Sequence, residues 1–403
     1  MAPVLPSFSL TALLLFLGVA LHRISFTTAL APVSLLSSAA FATKLFRSSS
    51  TTLPASFFED NDNNDDDDEQ DPSTPISEQG ILVVGATGGT GLRALQGLLD
   101  VGWEPSQIRL LSRNPDSPVC QALQKSLGVE VFKVDLDHDA DSNELCTALQ
   151  GCSGCYIHAL TSDTRKVTKG GTDRARTLAF AIAGQGGGKF HVVLNSAAGE
   201  PGHGVQRIQE MHDIERVCNE FSNIRLTSLR ANLFMEEFWK TYIRPSVIKK
   251  GKFPFSVPSD RKLHLTSVRD MGKLAGICLK VWGWEASSSS SSSSSSRTKI
   301  LNVAGDVLTA EEIAATFAEA QESPCQHSKS RVFGWFARLF FRDLYQIIRF
   351  YRRTTETTDV ADLRQKFPGM MTDFATFLNE TEWGNRDLSF ANFTSVERIL
   401  SSQ

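Results

Sequence analysis

Short apolar runs alternate with longer amphipathic segments from about residue 80 onward. The run 81–84 (ILVV) is continuous and rich in β-branched side chains, the pattern of a strand buried on both faces of a parallel sheet. Such an alternation predicts an α/β fold with a doubly wound parallel sheet, Rossmann-like, whose ligand lies at the carboxyl ends of the strands. Further strands are predicted at 108–111, 129–134, 154–159, 191–194 and 224–229, and helices at 92–99, 117–127, 142–149, 172–184 and 205–221.

Three glycines follow the first predicted strand with the spacing G-x-x-G-x-x-G. A first glycine permits a tight turn, a second lets backbone N–H groups approach a pyrophosphate, and a third allows the next helix to pack closely on the strand. The N-terminus of that helix offers unpaired N–H groups to phosphates. Because the loop lies between a buried strand and a helix, it predicts a dinucleotide site. The loop residues are Gly85, Thr87, Gly88, Gly89, Thr90 and Gly91.

The end of the second predicted strand favours NADP(H) over NAD(H). An NAD-binding protein usually places an acid there to accept a hydrogen bond from the ribose 2′-hydroxyl. This chain has Ser112 and Arg113 instead, and an arginine can pair with a 2′-phosphate. We expect Arg113 to bind that phosphate and Ser112 to add its hydroxyl. The alternative is that Arg113 is a solvated surface residue.

Two later strand ends complete the expected cofactor site. Asp135 and Leu136 follow the third predicted strand, where the carboxylate can meet the adenine amine. Asn195 and Ser196 follow the fifth, and we expect them near the nicotinamide ribose.

These motifs together resemble the NmrA-like family of atypical short-chain dehydrogenases, which includes isoflavone-reductase-like enzymes and NADP-sensing regulators. The similarity covers roughly residues 80–400 and implies the fold and an NADP(H) cofactor. Within the last similar segment, Thr309 and Glu312 have the spacing of a helix capping box. The similar segments after the sixth strand are 226–238 (LTSLRANLFMEEF), 263–272 (LHLTSVRDMG) and 301–314 (LNVAGDVLTAEEIA).

The proton donor expected of a reductase is missing. Catalytic relatives place a lysine four residues before a glutamate on the helix after the fifth strand. Here the glutamate resembles Glu215, and the position four residues earlier is Met211. His212 and His203 are the candidate catalytic residues, because imidazole titrates near neutral pH. The alternative, which the pattern favours for each, is a surface or N-terminal-helix side chain. We therefore expect a non-catalytic, redox-responsive regulator or assembly factor, and the alternative is an NADPH-dependent reductase of a small apolar or aromatic substrate.

The composition changes this picture mainly at the N-terminal side. The chain has 403 residues and a formal net charge of −4, and nine of its 45 acidic residues lie within 59–71. That run cannot bury apolar surface, which predicts a disordered linker. The rest is mildly basic, far from the composition of a nucleic-acid-binding protein. Seven cysteines in 403 residues are too few for a disulfide scaffold.

The N-terminal segment has features of a targeting presequence. Residues 10–21 form an apolar run with the length of a signal-peptide core, too short to span comfortably a hydrocarbon layer of about 30 Å. Residues 25–58 are rich in Ser, Thr and Ala and contain no acid. The stretch 38–42 (SAAFA) resembles the cleavage motif of bipartite presequences in algae with secondary plastids. We expect the chloroplast stroma or thylakoid surface; a secretory signal or an uncleaved membrane anchor is the alternative.

The chain is thus expected to have four parts. The predicted parts are a presequence at 1–58, an acidic linker at 59–77, an NADP-binding Rossmann-like domain at 78–240, and a smaller α/β substrate or partner region at 241–403 with a serine-rich loop at 286–297.

Two further features of the sequence have competing interpretations. The segment 331–353 is both aromatic and basic, and its apolar positions recur at helical spacing. It can cap the substrate pocket, lie on an anionic membrane surface or bind a protein partner. Cys152 and Cys155 have the spacing of a redox dithiol, and the alternative is that they are simply buried. No pattern of metal ligands is found, so we expect no bound metal.

Overall fold

A parallel sheet of seven strands forms the centre of the computed structural model. The structure describes residues 80–88, 90–138, 143–160, 170–185, 189–199, 205–240, 243–280, 297–328, 342–353, 358–393 and 395–397. In chain order the strands are β1 (Gly80–Val84), β2 (Ile108–Ser112), β3 (Glu130–Lys133), β4 (Cys152–Ile157), β5 (Phe190–Ala197), β6 (Ile224–Ala231), β7 (Leu233–Phe234), β8 (Lys252–Phe253), β9 (Lys262–Thr266), β10 (Thr298–Val303), β11 (Asp306–Thr309) and β12 (Gln326–His327).

The order across the central sheet is β3-β2-β1-β4-β5-β6-β10, which is the predicted doubly wound arrangement. All six predicted strands are present, with bounds shifted by at most three residues. The seventh, β10, pairs with β6 from Thr298 to Val303. Part of the C-terminal half of the chain therefore returns to complete the sheet.

Helices cover both faces of this sheet. Ile81 and Val83 point into an apolar core shared with the helices α1 (Gly91–Asp100) and α7 (Val268–Lys280). Leu82 and Val84 point into a second core shared with the helices α3 (Asn143–Leu149), α4 (Gly171–Gly184) and α5 (Gln206–Asn219). Because both faces of the strand are buried, all four residues from 81 to 84 are apolar. The helices are α1 (Gly91–Asp100), α2 (Pro118–Leu127), α3 (Asn143–Leu149), α4 (Gly171–Gly184), α5 (Gln206–Asn219), α6 (Arg244–Lys250), α7 (Val268–Lys280), α8 (Ala310–Ala320), α9 (Arg342–Arg353), α10 (Val360–Lys366), α11 (Phe374–Glu380) and α12 (Phe390–Phe393).

The C-terminal region has an aromatic core of its own. The ring centroids of Phe238, Phe253, Phe317 and Phe374 lie 5.2–5.6 Å apart in mainly edge-to-face pairs, a favourable arrangement for aromatic rings. Two small sheets, β11-β9-β7 and β12-β8, border this core. The predicted capping box is confirmed, because the Thr309 side chain accepts from Glu312 N at the start of α8 and the Glu312 side chain accepts from Thr309 N.

Several expectations concern residues outside the described part of the chain. The presequence at 1–58, the acidic linker at 59–77 and all but the last residue of the serine-rich loop at 286–297 belong to this group. They remain predictions, as do the domain boundaries. None of the described helices combines the length and the apolarity that crossing a membrane requires.

Candidate cofactor site

The glycine loop leaves β1 in a conformation that two of its glycines make possible. Gly85 has a φ of +88°, and a Cβ built there would lie 2.9 Å from Ala159 N, at the end of the neighbouring β4. A Cβ on Gly91 would lie 2.1 Å from Gly85 O. Any side chain at either position would therefore displace backbone. Gly91 N donates to Gly88 O at 3.0 Å, and Gly88 N donates to Gly85 O at 3.3 Å, which folds the loop into two successive turns.

Gly88 differs from its two neighbours, because the fold itself does not require a glycine there. Gly88 is exposed, and a Cβ at this position would meet only Gly85 O, at an ordinary contact distance of 3.5 Å. The open side of the loop faces the N-terminus of α1, which has ten residues and no acid in its first turn. The positive end of that helix and a surface free of side chains are what a phosphate requires. Thr87 and Thr90 are partly buried beside it, and Gly89 lies outside the described residues.

The end of β2 presents an arginine without a partner. Arg113 is exposed, and among the described residues no hydrogen bond or ion pair involves its guanidinium. Its charge reaches Asp137, whose pKa it helps to lower. Ser112 is buried, and its Oγ accepts from Asn114 N at 3.2 Å and from the Cys120 thiol at 3.4 Å. Since both contacts use the oxygen as acceptor, the hydroxyl proton remains available to a ligand.

An ion pair that the sequence pattern does not predict holds the end of β3. Arg174, on α4, donates to both carboxylate oxygens of Asp137 at 2.8 and 2.6 Å and to Leu160 O at 2.8 Å. Hydrogen bonding from Arg174 holds the pKa of Asp137 below its usual range. Asp135 Oδ1 accepts from Asp137 N at 3.1 Å, and Leu136 is buried in the second apolar core. Asp135 and Leu136, which are predicted to contact the adenine, therefore lie in a turn that the ion pair between Asp137 and Arg174 fixes to α4.

A buried histidine joins the ends of β4 and β5 to the glycine loop. His158 Nε2 lies 3.2 Å from Thr90 Oγ1, and His158 Nδ1 lies 3.3 Å from the Tyr156 hydroxyl. Asn195 Nδ2 donates to His158 O at 2.9 Å. Thr90 and Asn195 are among the cofactor-site residues predicted from the sequence, whereas His158 and Tyr156 are not. The sequence signal that could have identified His158 is its position directly after β4, because ligands bind at the carboxyl ends of the strands in sheets of this type.

Glu215 connects Ser196 to two further elements. Its Oε1 accepts from Ser196 Oγ at 2.6 Å and from Ser228 Oγ at 2.5 Å, and Arg230 donates to both carboxylate oxygens at 3.1 and 2.8 Å. Although burial by itself raises the pKa of Glu215, the hydrogen bonds from His212, Arg230 and the two serines hold it well below its usual range. The carboxylate therefore stays ionised and fixes the ends of β5 and β6 to α5.

Of the two candidate proton donors, His212 and His203, the structure describes only His212. His212 is buried rather than on the surface, with its Nδ1 3.5 Å from Glu215 Oε2. Its Nε2 is buried and has no hydrogen-bond partner among the described residues. His203 lies outside the described part of the chain. Met211, one residue before His212, packs against the second apolar core.

The described part of the aromatic and basic segment is α9, and it packs over the carboxyl end of β5. Phe350 forms a small buried cluster with Val205 and Ile208, at the start of α5, and Ala197 and Ile347 pack against that cluster. The hypothesis that the segment caps the substrate side of the fold therefore has a structural basis. Residues 331–341 lie outside the described part, and the membrane and partner alternatives remain predictions.

Cys152 is partly buried and Cys155 is buried, and both have the properties of structural thiols. Burial raises the pKa of Cys152 to about 11 and that of Cys155 well above its usual range, and a protonated thiol is a poor nucleophile. These properties speak against the redox interpretation. In the part of the chain that the structure describes, no three His, Cys, Asp or Glu side chains are placed to share a metal ion.

Comparison with known proteins identifies the family. The sequence pattern of the NmrA-like family matches residues 77–357. An NmrA-like family domain-containing oxidoreductase from Aspergillus hancockii is 29% identical over 206 residues, which are 49% of this chain and 58% of that relative. The aligned region thus spans a little over half the length of the curated relative.

Solved structures with the same fold include enzymes and a regulator. An NADPH-dependent quinone oxidoreductase from Escherichia coli, crystallised with NADPH, superposes with a TM-score of 0.58 at 19% identity over 74% of this chain and 98% of its own. A Citrobacter sp. triphenylmethane reductase with NADP(H) gives 0.56 at 19% over 75% and 99%. Nmra, a negative transcriptional regulator crystallised with NAD, gives 0.57 at 14% over 78% and 99%. These likenesses establish the shared fold, and the match over residues 77–357 shows that the chain belongs to the NmrA-like family.

Proposed function

We propose that the protein binds NADP(H) at the carboxyl ends of β1 to β5 and acts as a redox-responsive regulator or assembly factor. The glycine loop and the N-terminus of α1 would hold the pyrophosphate. Asp135 and Leu136 would lie beside the adenine, and Asn195 and Ser196 beside the nicotinamide ribose. The fit is supported by the open side of Gly88 and by Asn195 Oδ1, a buried acceptor without a partner among the described residues.

The preference for NADP(H) rests on the surroundings of Arg113. The nearby acid that could neutralise it, Asp137, is already bound twice by Arg174. Arg113 thus has no hydrogen-bonded carboxylate partner among the described residues, and Ser112 has a hydroxyl proton to donate. A 2′-phosphate supplies both partners, whereas a ribose hydroxyl at the same place does not. The relatives crystallised with NADPH, NADP(H) or NAD support a nicotinamide dinucleotide more generally.

Met211 is the observation that carries the regulatory part of the proposal. Bound NADPH would supply a hydride, but reduction of a carbonyl or quinone also needs a proton from the protein or solvent. Met211 stands where the catalytic relatives have lysine, and its thioether packs against the apolar core. α9 lies over the end of β5, so it is placed to transmit a change at the cofactor to the surface.

A reductase is the second candidate, because His212 is held in a suitable way. Glu215 contacts Nδ1 of the imidazole and leaves Nε2 without a partner among the described residues. A carboxylate that orients one ring nitrogen while the other exchanges a proton is a common arrangement in acid–base catalysis. His212 is therefore the proton donor to test first if the protein turns over a substrate.

The test is a titration of the full chain with NADPH and with NADH, read from nucleotide fluorescence. We expect tighter binding of NADPH, and a loss of that preference by roughly tenfold to a hundredfold in Arg113→Ala. The matched control is Arg216→Ala, which removes an exposed arginine on α5. If neither nucleotide binds, the proposal is wrong.

A second measurement separates the two candidate functions. NADPH oxidation is followed with a panel of aldehydes, enones and quinones. Nucleotide binding without oxidation of any acceptor supports the regulator. Steady acceptor-dependent oxidation that is lost in His212→Asn supports the reductase.

A further inference from the structure

Four polar side chains meet at the junction of the glycine loop, β4 and β5. They are Thr90, Tyr156, His158 and Asn195, and the last three are buried. His158 is their centre, with Nε2 3.2 Å from Thr90 Oγ1, and with Nδ1 3.3 Å from the Tyr156 hydroxyl and 3.4 Å from Asn195 Nδ2. The four come from three elements that are neighbours only in the folded sheet.

The contacts of His158 favour one of its two neutral tautomers. Asn195 Nδ2 donates to His158 O at 2.9 Å, so the amide nitrogen, rather than the oxygen, faces the histidine. The Tyr156 hydroxyl is the second potential donor beside Nδ1, and burial raises its pKa so that it stays protonated. Because Asn195 Nδ2 can only donate and the Tyr156 hydroxyl can donate, these contacts favour an acceptor at Nδ1 and the ring proton on Nε2. Burial also lowers the pKa of His158 to about 4, which keeps the ring neutral near pH 7.

The consequence of this tautomer falls on Thr90. His158 Nε2–H donates to Thr90 Oγ1, so the hydroxyl proton of Thr90 must point to a different acceptor. Thr90 occupies the N-cap of α1, yet its side chain makes no capping hydrogen bond. The hydroxyl is therefore not needed to hold the helix, and its proton has no acceptor among the described residues.

Asn195 gives an independent indication of a ligand. Its amide nitrogen is used by His158, and the residue is only 6% exposed, yet its Oδ1 has no hydrogen-bond partner among the described residues. A buried acceptor without a partner is costly and is usually satisfied by a ligand or a water.

We propose that His158 is a positioning residue of the cofactor site, which makes Thr90 a hydroxyl donor to a phosphate oxygen of the dinucleotide and holds Asn195 so that Oδ1 accepts from a hydroxyl or amide of the nicotinamide half. This inference rests on the proposed dinucleotide binding. It assigns to His158 a role in binding rather than in proton transfer, and it adds Tyr156 as the residue that helps to fix the tautomer.

Two amide substitutions separate this role from simple packing. In His158→Gln the amide nitrogen reaches roughly the position of Nε2 and keeps a donor to Thr90, while Asn195 keeps its hydrogen bond to the main-chain oxygen of residue 158. In His158→Asn the side chain reaches only the position of Nδ1, so the donor to Thr90 is lost. We expect NADPH binding to weaken about tenfold to a hundredfold in His158→Asn, because Thr90 loses the donor that leaves its own proton free for the charged phosphate. In His158→Gln binding should stay within about threefold.

Thr90 supplies the second arm of the test. Thr90→Val should weaken NADPH binding as much as His158→Asn, and Thr90→Ser should bind as the unmodified chain does. The double variant Thr90→Val/His158→Asn should bind no more weakly than either single variant, because both remove the same hydrogen bond. Additive losses, or equal losses in His158→Gln and His158→Asn, would overturn the proposal.

A matched pair at the other end of β5 controls for stability. His191 Nε2 lies 2.8 Å from Thr227 Oγ1 in a buried histidine–threonine contact near the start of the strand. His191→Asn should lower the melting temperature about as much as His158→Asn but leave the NADPH dissociation constant unchanged. A loss of affinity in His191→Asn would show that general destabilisation explains the effect, and would overturn the proposal.

A ligand-free readout distinguishes failure of this inference from failure of the proposed function. Nitrogen NMR of the histidine side chains, assigned with His158→Gln, should show His158 with its proton on Nε2. A proton on Nδ1 overturns the inference and leaves the proposed function intact. If the unmodified chain binds neither NADPH nor NADH, the proposed function falls and the binding role of His158 falls with it.

Discussion

The carboxylate of Glu215 pairs with the guanidinium of Arg230, and 2.8 Å separate Glu215 Oε2 from Arg230 Nη2. Both side chains are largely buried, with exposed fractions of 9% and 13%. The hydroxyls of Ser196 and Ser228 donate to the same carboxylate. A single residue of α5 thus holds the ends of β5 and β6 together at the edge of the sheet where the cofactor is proposed to bind.

Removal of this carboxylate should destabilise the protein strongly. Glu215→Ala leaves a buried guanidinium and two hydroxyls without their acceptor, and loss of one partner of a buried ion pair typically costs about 3–5 kcal/mol. Urea denaturation measures the change in the free energy of unfolding. The control is Glu220→Ala, whose partners Arg176 and Arg216 are exposed and for which only a small loss of stability is expected. Similar losses in the two variants would contradict this prediction.

The buried ion pairs should also make the protein sensitive to acid. The folded-state pKa values of Glu215 and Asp137 lie below their usual ranges. Both groups therefore contribute stability above the unfolded-state pKa of about 4, and that stability is lost as the pH falls through and below this value. Unfolding free energies measured between neutral and acidic pH should fall steeply at the acidic end. The fall should be shallower in Asp137→Asn, and an unchanged slope would count against the assignment.

Glu236 should act with the opposite sign. This residue is fully buried, its Oε1 accepts from Val268 N at 3.0 Å, and burial raises its pKa to about 7. Because the folded state binds the proton more tightly than the unfolded chain, stability should decrease as the pH rises through the range between the two pKa values, by roughly 3 kcal/mol in total. Glu236→Gln should remove this decrease. Denaturation of both proteins at mildly acidic and mildly alkaline pH measures it, and an equally pH-dependent variant would refute the prediction.

Met211→Lys tests whether a lost catalytic group explains the regulatory proposal. We expect no gain in acceptor-dependent NADPH oxidation over Met211→Leu, which keeps the volume and the apolar character of the side chain. A tenfold or larger gain (about 1.4 kcal/mol of transition-state stabilisation) would instead identify the protein as a reductase that lacks one group. Both variants need to bind NADPH as the unmodified chain does, so that the comparison concerns catalysis alone.

The predicted presequence can be tested separately from the folded part. Residues 1–77 fused to a fluorescent protein should direct it to the plastid of an alga with a secondary plastid, and Phe41→Arg should block plastid entry if the Ala-Phe motif is read there. Fluorescence in the secretory pathway for both fusions would favour the alternative of a secretory signal.

The sequence alone determined the parallel sheet, the glycine loop and the positions of the strand ends. These features are local: a strand buried on both faces must be apolar throughout, as at 81–84, and a turn that brings Gly85 O within 2.1 Å of a Cβ on Gly91 requires glycine. The capping box at Thr309 depends on a spacing of three residues, so it was also predictable.

The tertiary structure alone decided which polar side chains meet. His158 reaches Thr90 because β4 lies beside β1 in the sheet, although 68 residues separate them in the chain. Arg174 binds Asp137 for the same kind of reason, since α4 returns to the end of β3, and Arg113 then has no ion-pair partner among the residues that the structure describes. Burial of His212 likewise depends on how α5 packs on the sheet. Such contacts join distant segments, and their charges and protons depend on a burial that the local sequence does not contain.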